Sequence, residues 1–182
     1  MQLIVLAGLP GAGKSTLARA LSEQLGFPVL DKDRVRAALF PPPALEYSAE
    51  QDDLVLECIH RAVEYLAAHA TVPGVILDGR TYSKGTQVAA LRAVAERVGA
   101  RLHLIECRAE LEVLRQRLEQ DWTAAQHPAA NRDFELCRRL HASSEPIPGE
   151  KLVLATDERS LSELVALALA YVQREVRDSF PK

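Results

Sequence analysis

The chain has 182 residues, of which 26% are charged and 48% hydrophobic, and its formal net charge at pH 7 is -3. This balance is typical of one globular domain and argues against a long nucleic acid as partner, because such partners are usually held by a basic surface. Three cysteines with no CxxC pair argue against a disulfide framework or a cysteine metal site. No apolar run is long enough for a signal or a membrane span, so we predict a cytoplasmic protein without a membrane partner.

Five short apolar runs predict buried strands. They lie at residues 3–7, 27–30, 74–78, 101–106 and 151–155. Their continuous hydrophobicity is typical of a parallel sheet covered on both faces. Amphipathic helical patterns alternate with them, at residues 17–25, 88–98, 111–118 and 161–176. The fold class predicted is therefore α/β, a three-layer α/β/α sandwich with a five-stranded parallel sheet, in a single domain over 1–182.

Two segments interrupt this alternation. Residues 41–73 carry three consecutive prolines, which end the preceding helix, and then a long helical pattern before the third predicted strand. Residues 119–140 are polar and rich in alanine and arginine. Ligands of open parallel sheets bind beyond the carboxyl ends of the strands, so the loops that follow the strands are the first candidates for a site.

A phosphate-binding loop follows the first predicted strand. Residues 8–15 read GLPGAGKS and match the pattern GxxxxGK[ST] between a strand and a helix, which predicts a P-loop NTPase that binds ATP and Mg²⁺. Its glycines let backbone N–H groups turn toward phosphate, Lys14 can reach the β- and γ-phosphates, and Ser15 can ligate Mg²⁺. The predicted nucleotide-binding residues are Gly8, Leu9, Pro10, Gly11, Ala12, Gly13, Lys14, Ser15 and Thr16.

A carboxylate ends the third predicted strand. Asp78 closes an otherwise apolar run, where an unpaired carboxylate costs free energy. It is therefore a candidate for contact with a second substrate that would accept phosphate from the nucleotide (the acceptor) or, through a water, with Mg²⁺. Formation of a turn with Gly79 is the alternative. Arg80 and Lys84 follow in the same loop and are candidates to hold an anionic acceptor, or else solvated surface charges.

Four segments together carry a family resemblance. They are GLPGAGKS at 8–15, DKDRVR at 31–36, VILDG at 75–79 and LRQRL at 114–118. In this order they resemble the P-loop kinase superfamily, and more narrowly its AAA-type small-kinase group. That group includes the kinase domain of polynucleotide kinase, chloramphenicol phosphotransferase and zeta-toxin-like proteins. The resemblance implies transfer of the γ-phosphate of ATP to a hydroxyl, with a lid at about 119–135 and an acceptor-capping helical insertion at about 41–73.

The resemblance also implies roles for single residues. Asp33 would orient the acceptor hydroxyl and take its proton, and Arg36, one helical turn on, would bind the acceptor. Asp31 is the competing candidate for base or acceptor contact, and either aspartate could instead cap the helix that follows.

Lid arginines are the second group of residues that the resemblance implies. Arg117 matches the arginine at the base of the lid, where it would act in catalysis. Similar proteins often carry a second arginine one turn later, but this chain has Asp121 there, which leaves Arg132 as its replacement. A salt-bridged helix surface is the alternative for Arg117.

Three functions follow as alternatives. The first is an ATP- and Mg²⁺-dependent kinase acting on a small-molecule hydroxyl. The second is a polynucleotide 5′-hydroxyl kinase, which the acidic character of 41–73 disfavours. The third is a nucleotide-binding sensor or regulatory protein with little turnover. Neither the acceptor nor the oligomeric state is predicted by any motif.

Overall fold

The computed structural model describes residues 1–123 and 133–177. Its strands are β1 (Gln2–Ala7), β2 (Val29–Asp31), β3 (Gly74–Asp78), β4 (Arg101–Arg108) and β5 (Leu152–Ala155). All pair in parallel, in the order β2-β3-β1-β4-β5, so the predicted five-stranded parallel sheet is confirmed. The central β1 pairs with β3 on one side and with β4 on the other, which brings their carboxyl ends together at one edge.

β1 begins one residue earlier and β5 one residue later than predicted, and the bounds of β2 and β4 differ further. The strand predicted at 27–30 begins only at Val29 in the structure. The carbonyl of the preceding residue, Pro28, accepts a hydrogen bond from Ile76 N at 2.9 Å. β2 then continues to Asp31, which caps the next helix. β4 extends two residues beyond its predicted end, to Arg108. Both extensions place polar residues at the carboxyl edge of the sheet.

Helices connect the strands. They are α1 (Lys14–Leu25), α2 (Lys32–Leu39), α3 (Ala49–His69), α4 (Gly85–Arg97), α5 (Leu111–Thr123), α6 (Phe134–Ser143) and α7 (Leu161–Arg177), with a 3₁₀ turn at Pro42–Ala44. The helix α6 was not predicted, because its polar sequence reads as part of the 119–140 interruption. Within residues 1–123 and 133–177, no helix is long and apolar enough to cross a membrane.

Alternation along β1 divides the core into two halves. Ile4 and Leu6 belong to a buried cluster with residues of α1 and α7. Leu3 and Val5 belong to a second cluster with residues of α3 and α4. Because successive side chains of a strand point to opposite faces, the two clusters lie on the two sides of the sheet, which confirms the three-layer sandwich.

The 41–73 segment lies beside α2. Its loop is held by Gln51, whose side chain accepts a hydrogen bond from Glu46 N and donates one to the Ala44 carbonyl, each at 3.0 Å. Ser48 caps α3 by accepting from Gln51 N. The buried face of α3 packs on the sheet, so its first turn is fixed next to α2. The lid expected at about 119–135 lies mostly outside the described residues.

Candidate active site

The phosphate loop is a turn of backbone between β1 and α1. Gly8 and Gly13 have φ values of 133° and 83°, which side-chain-bearing residues rarely adopt. A Cβ on Gly8 would lie 2.2 Å from the Cys107 carbonyl oxygen. The loop therefore needs glycine at this position for its conformation and for its close approach to β4.

The amino end of α1 is open to an anion. Gly13 provides no side-chain cap, and the first turn of α1 carries no acidic residue. Backbone N–H groups at such an end have no intrahelical partner, and the helix dipole favours negative charge there. Lys14 is 5% exposed and donates from Nζ to the carbonyls of Gly8 at 2.7 Å and Leu9 at 2.9 Å. Its ammonium is thus held over the loop, as phosphate binding requires.

Asp31, the last residue of β2, and Asp33 in the first turn of α2 have different roles in the structure. Asp31 is the N-cap of α2, because its Oδ1 accepts from Asp33 N at 2.8 Å and from Arg34 N at 3.1 Å. The Asp33 carboxylate instead accepts from Arg36 Nη1 at 2.8 Å. Of the two aspartates that could have capped α2, Asp31 is the one that does so. Both aspartates line the cleft that Lys14 also lines.

Arg36 joins Asp33 to a charge network that the sequence did not predict. This arginine is 2% exposed, and its Nη2 pairs with Asp52 of α3. Its guanidinium carbon lies 5.0 Å from the centre of the Tyr47 ring, an arrangement that stabilises a cation. Lys32 also donates to both carboxylate oxygens of Asp52, at 2.9 and 3.0 Å. Asp52 had entered the sequence analysis only as part of an acidic segment.

Lys32 is an almost buried cation in this network. Burial lowers the pKa of Lys32 to about 8, and the charges of Arg36 and Arg80 lower it as well, while Asp33 and Asp31 raise it. The only sequence signal for Lys32 is its place between two aspartates in DKDR. The same position in the sequence is equally consistent with a lysine whose side chain is solvated at the surface.

Asp78 is a buried carboxylate at the end of β3. It lies opposite Asp31 in the strand register, and its Oδ1 has no hydrogen-bond partner among the described residues. A buried, unsatisfied carboxylate oxygen fits a water ligand of Mg²⁺, with the Ser15 hydroxyl as a direct ligand. In the described part of the chain, no group of three His, Cys, Asp or Glu could hold a metal.

The two cations after β3 point in different directions. Arg80 donates to Asp53 at 3.3 Å and lines the cleft with Asp33 and Lys14. Lys84 instead donates to the Ser143 carbonyl at 2.8 Å and pairs with Glu145 at 3.3 Å. Arg80 therefore lines the same cleft as Asp33, whereas Lys84 ties the start of α4 to the segment after α6.

Arg117 lies on the other side of the phosphate loop. It donates to the Gly11 carbonyl at 3.3 Å, to Thr156 Oγ1 at 3.0 Å and to the Thr156 carbonyl at 2.9 Å. Together with Thr16 it lines a second cleft, of about 570 Å³. Thr156 follows β5 and was missed in the sequence, because a single threonine after a strand carries no motif. Arg132 lies outside the described residues.

Comparisons with known proteins agree with this fold. A putative kinase from Chloroflexus aurantiacus J-10-fl is similar with a TM-score of 0.74 and 18% identity, over 93% of this chain and 97% of that chain. A gluconokinase from Sinorhizobium meliloti 1021 is similar with a TM-score of 0.70 and 19% identity, over 97% of this chain and 94% of that chain. At these identities the likeness concerns the fold.

Sequence comparison gives a partial relative and a family. A shikimate kinase from Thermobifida fusca (strain YX) is 38% identical over 79 residues, which span 42% of this chain and 44% of that relative, less than half of its length. The model of the AAA domain family matches residues 3–142. These residues include the phosphate loop, Asp31, Asp33 and Arg117, and they make up more than half of the chain. The chain therefore belongs to the AAA domain family, which confirms the resemblance to P-loop kinases that its four segments carry.

Proposed function

We propose that the chain is an ATP- and Mg²⁺-dependent kinase that transfers the γ-phosphate of ATP to a hydroxyl group of a small molecule. The observation that carries the proposal is a cleft of about 290 Å³ lined jointly by Lys14, Ser15, Asp33 and Arg36. One wall of this cleft offers groups that bind phosphate. The other offers a carboxylate that can accept a proton.

The chemistry assigned to these residues is in-line transfer. The acceptor oxygen bonds to the γ-phosphorus as the bond from that phosphorus to the β–γ bridging oxygen breaks, so that ADP leaves. Asp33 orients the acceptor hydroxyl and receives its proton. Lys14 and the amino end of α1 stabilise the charge on the phosphate oxygens. Mg²⁺, held by Ser15 and by Asp78 through a water, would neutralise further phosphate charge.

The second cleft supports an assignment for the rest of the nucleotide. It continues from the phosphate loop, through Ser15 and Thr16, to Arg117 and Thr156. We assign the base and ribose of ATP to this cleft, where the planar guanidinium of Arg117 can stack on a ring.

Charge in the acceptor cleft supports a small acceptor over a nucleic acid. Lys32 and Arg36 are already paired with Asp33 and Asp52, so they do not form the free basic surface that a polynucleotide needs. Arg80 is paired with an exposed carboxylate, which an anionic group of the acceptor could replace. We also assign the protein to the cytoplasm, because none of its three cysteines is in a disulfide.

The proposal is tested by a screen for acceptor-dependent ADP release. Metabolites, antibiotics, nucleosides and a 5′-hydroxyl oligonucleotide are incubated with ATP and Mg²⁺. We expect release above background with a small hydroxyl compound. Transfer to the oligonucleotide alone would favour the polynucleotide kinase, and equal ATP loss with every acceptor would favour the sensor.

The base is tested by two matched variants. Asp33→Asn is expected to retain ATP binding and to lose about 10²–10⁴-fold in kcat, the usual worth of a general base. Asp31→Asn is expected to lose far less, because asparagine caps a helix as well as aspartate does. If Asp31→Asn loses as much as Asp33→Asn, the assignment of the base to Asp33 is wrong.

A further inference from the structure

We propose that Asp52 is a positioning residue for phosphoryl transfer, which engages Lys32 and Arg36 and thereby leaves the Asp33 carboxylate oriented toward the acceptor. This inference rests on the proposed function, since Asp33 matters only if a hydroxyl is the acceptor. It assigns a role to the first turn of α3, which no motif in the sequence marks.

Two cations and two carboxylates form the network. Asp52 receives Lys32 Nζ on both oxygens, at 2.9 and 3.0 Å, and it also pairs with Arg36 Nη2. Asp33 receives only the other guanidinium nitrogen of Arg36, at 2.8 Å, and lies 3.8 Å from Lys32 Nζ. Asp52 thus has the closer contacts with Lys32, and it shares Arg36 with Asp33.

The position of Asp52 on its helix makes it a fixed anion. It lies in the first turn of α3, where a carboxylate is stabilised by the helix dipole. The neighbouring Gln51 is buried and hydrogen-bonded to the preceding loop on both sides, so this turn cannot shift easily. Asp52 is therefore held in place by its helix, and the long side chains of Lys32 and Arg36 adjust their positions to pair with it.

Without the charge of Asp52, both cations would move closer to Asp33, which they already approach at 3.8 Å (Lys32) and 2.8 Å (Arg36). A carboxylate held by two cations is a weaker proton acceptor, because nearby positive charge stabilises its ionised form. It would also turn away from the acceptor toward the new contacts. The other charged groups that face this cleft are Asp31 at the end of β2, Lys14 of the phosphate loop and Arg80 after β3; all three stay in place in the variants below.

The kinetic test compares Asp52→Asn, Asp52→Glu and Glu50→Gln. Asp52→Asn is expected to lose about 10–100-fold in kcat, as small displacements of a reacting group do, with the KM for ATP unchanged. Asp52→Glu restores the charge and should recover much of kcat. Glu50→Gln removes an exposed carboxylate from the same turn and should match the wild type.

A second measurement does not depend on finding the acceptor. Crystal structures of the nucleotide-free variants are expected to place Lys32 Nζ within hydrogen-bond distance of the Asp33 carboxylate in Asp52→Asn but not in Glu50→Gln. A Lys32 ammonium that keeps its distance from Asp33 in Asp52→Asn overturns the inference, as does a kcat loss that Asp52→Glu does not reduce. If the acceptor screen finds no substrate while Lys32 moves onto Asp33 in Asp52→Asn, the proposed function fails and the charge coupling stands.

Discussion

The two walls of the cleft are built in different ways. The phosphate loop is made of consecutive residues whose backbone does the binding, and Lys14 bonds to carbonyls only five and six residues away. The acceptor wall is made of side chains from α2 and α3, and its central contact joins Lys32 to a residue 20 positions later. The first wall is fixed by local conformation. The second depends on how two helices pack, so it can differ among proteins that share the loop.

The largest expected effect is on the loop wall, from Gly8→Ala. The added Cβ meets the Cys107 carbonyl at 2.2 Å, at a φ of +133° that alanine does not tolerate. We expect the free energy of unfolding to fall by about 3–5 kcal/mol, since backbone strain and overpacking combine. Chemical denaturation measures it. Gly99→Ala is the control, because its φ of +60° is positive but nothing lies within 4 Å; an equal loss there would mean that conformation alone matters.

A middle-sized effect belongs to the acceptor wall and depends on pH. The folded protein holds Lys32 at a pKa of about 8, against 10.5 for an ordinary lysine. Between these values the unfolded chain binds a proton that the folded chain does not, so stability rises with pH across this window. The cost that Lys32 imposes below pH 8 is about 3 kcal/mol. The free energies of unfolding of wild type and Lys32→Met are measured by denaturation from pH 7 to 10.5. The variant lacks the cost of the buried charge, and its advantage in free energy should shrink as pH rises; a constant difference would contradict this.

The smallest effect is expected on the far side of the loop, from Arg117→Ala. The variant loses hydrogen bonds to Gly11 and Thr156 but no contact in the acceptor cleft. We expect a rise of about tenfold in the KM for ATP, with kcat and the acceptor KM nearly unchanged. Arg115→Ala is the control, because Arg115 pairs only with glutamates of its own helix among the described contacts. A fall in kcat comparable to that of Asp33→Asn would instead place Arg117 at the transferring phosphate.

The same contrast explains what the sequence could predict. The strands and the phosphate loop follow from local patterns, the apolar run of β1 and the glycine spacing after it, and both are present in the structure. Asp52 and Thr156 could not be found in this way, because each acts through a partner far along the chain. Coordinates were also needed to identify which of Asp31 and Asp33 caps α2, since two neighbouring carboxylates compete for one cap.

The uncapped start of α1 has a consequence for stability. An ordinary helix satisfies its first N–H groups with a side chain, but here Gly13 leaves that task open. The phosphates of a nucleotide would complete the helix, so ligand and fold are thermodynamically linked. At a nucleotide concentration 100 times its Kd, such linkage adds about 2.7 kcal/mol to the free energy of unfolding. The abundance of ATP in its surroundings would then be one of the determinants of how long this protein survives.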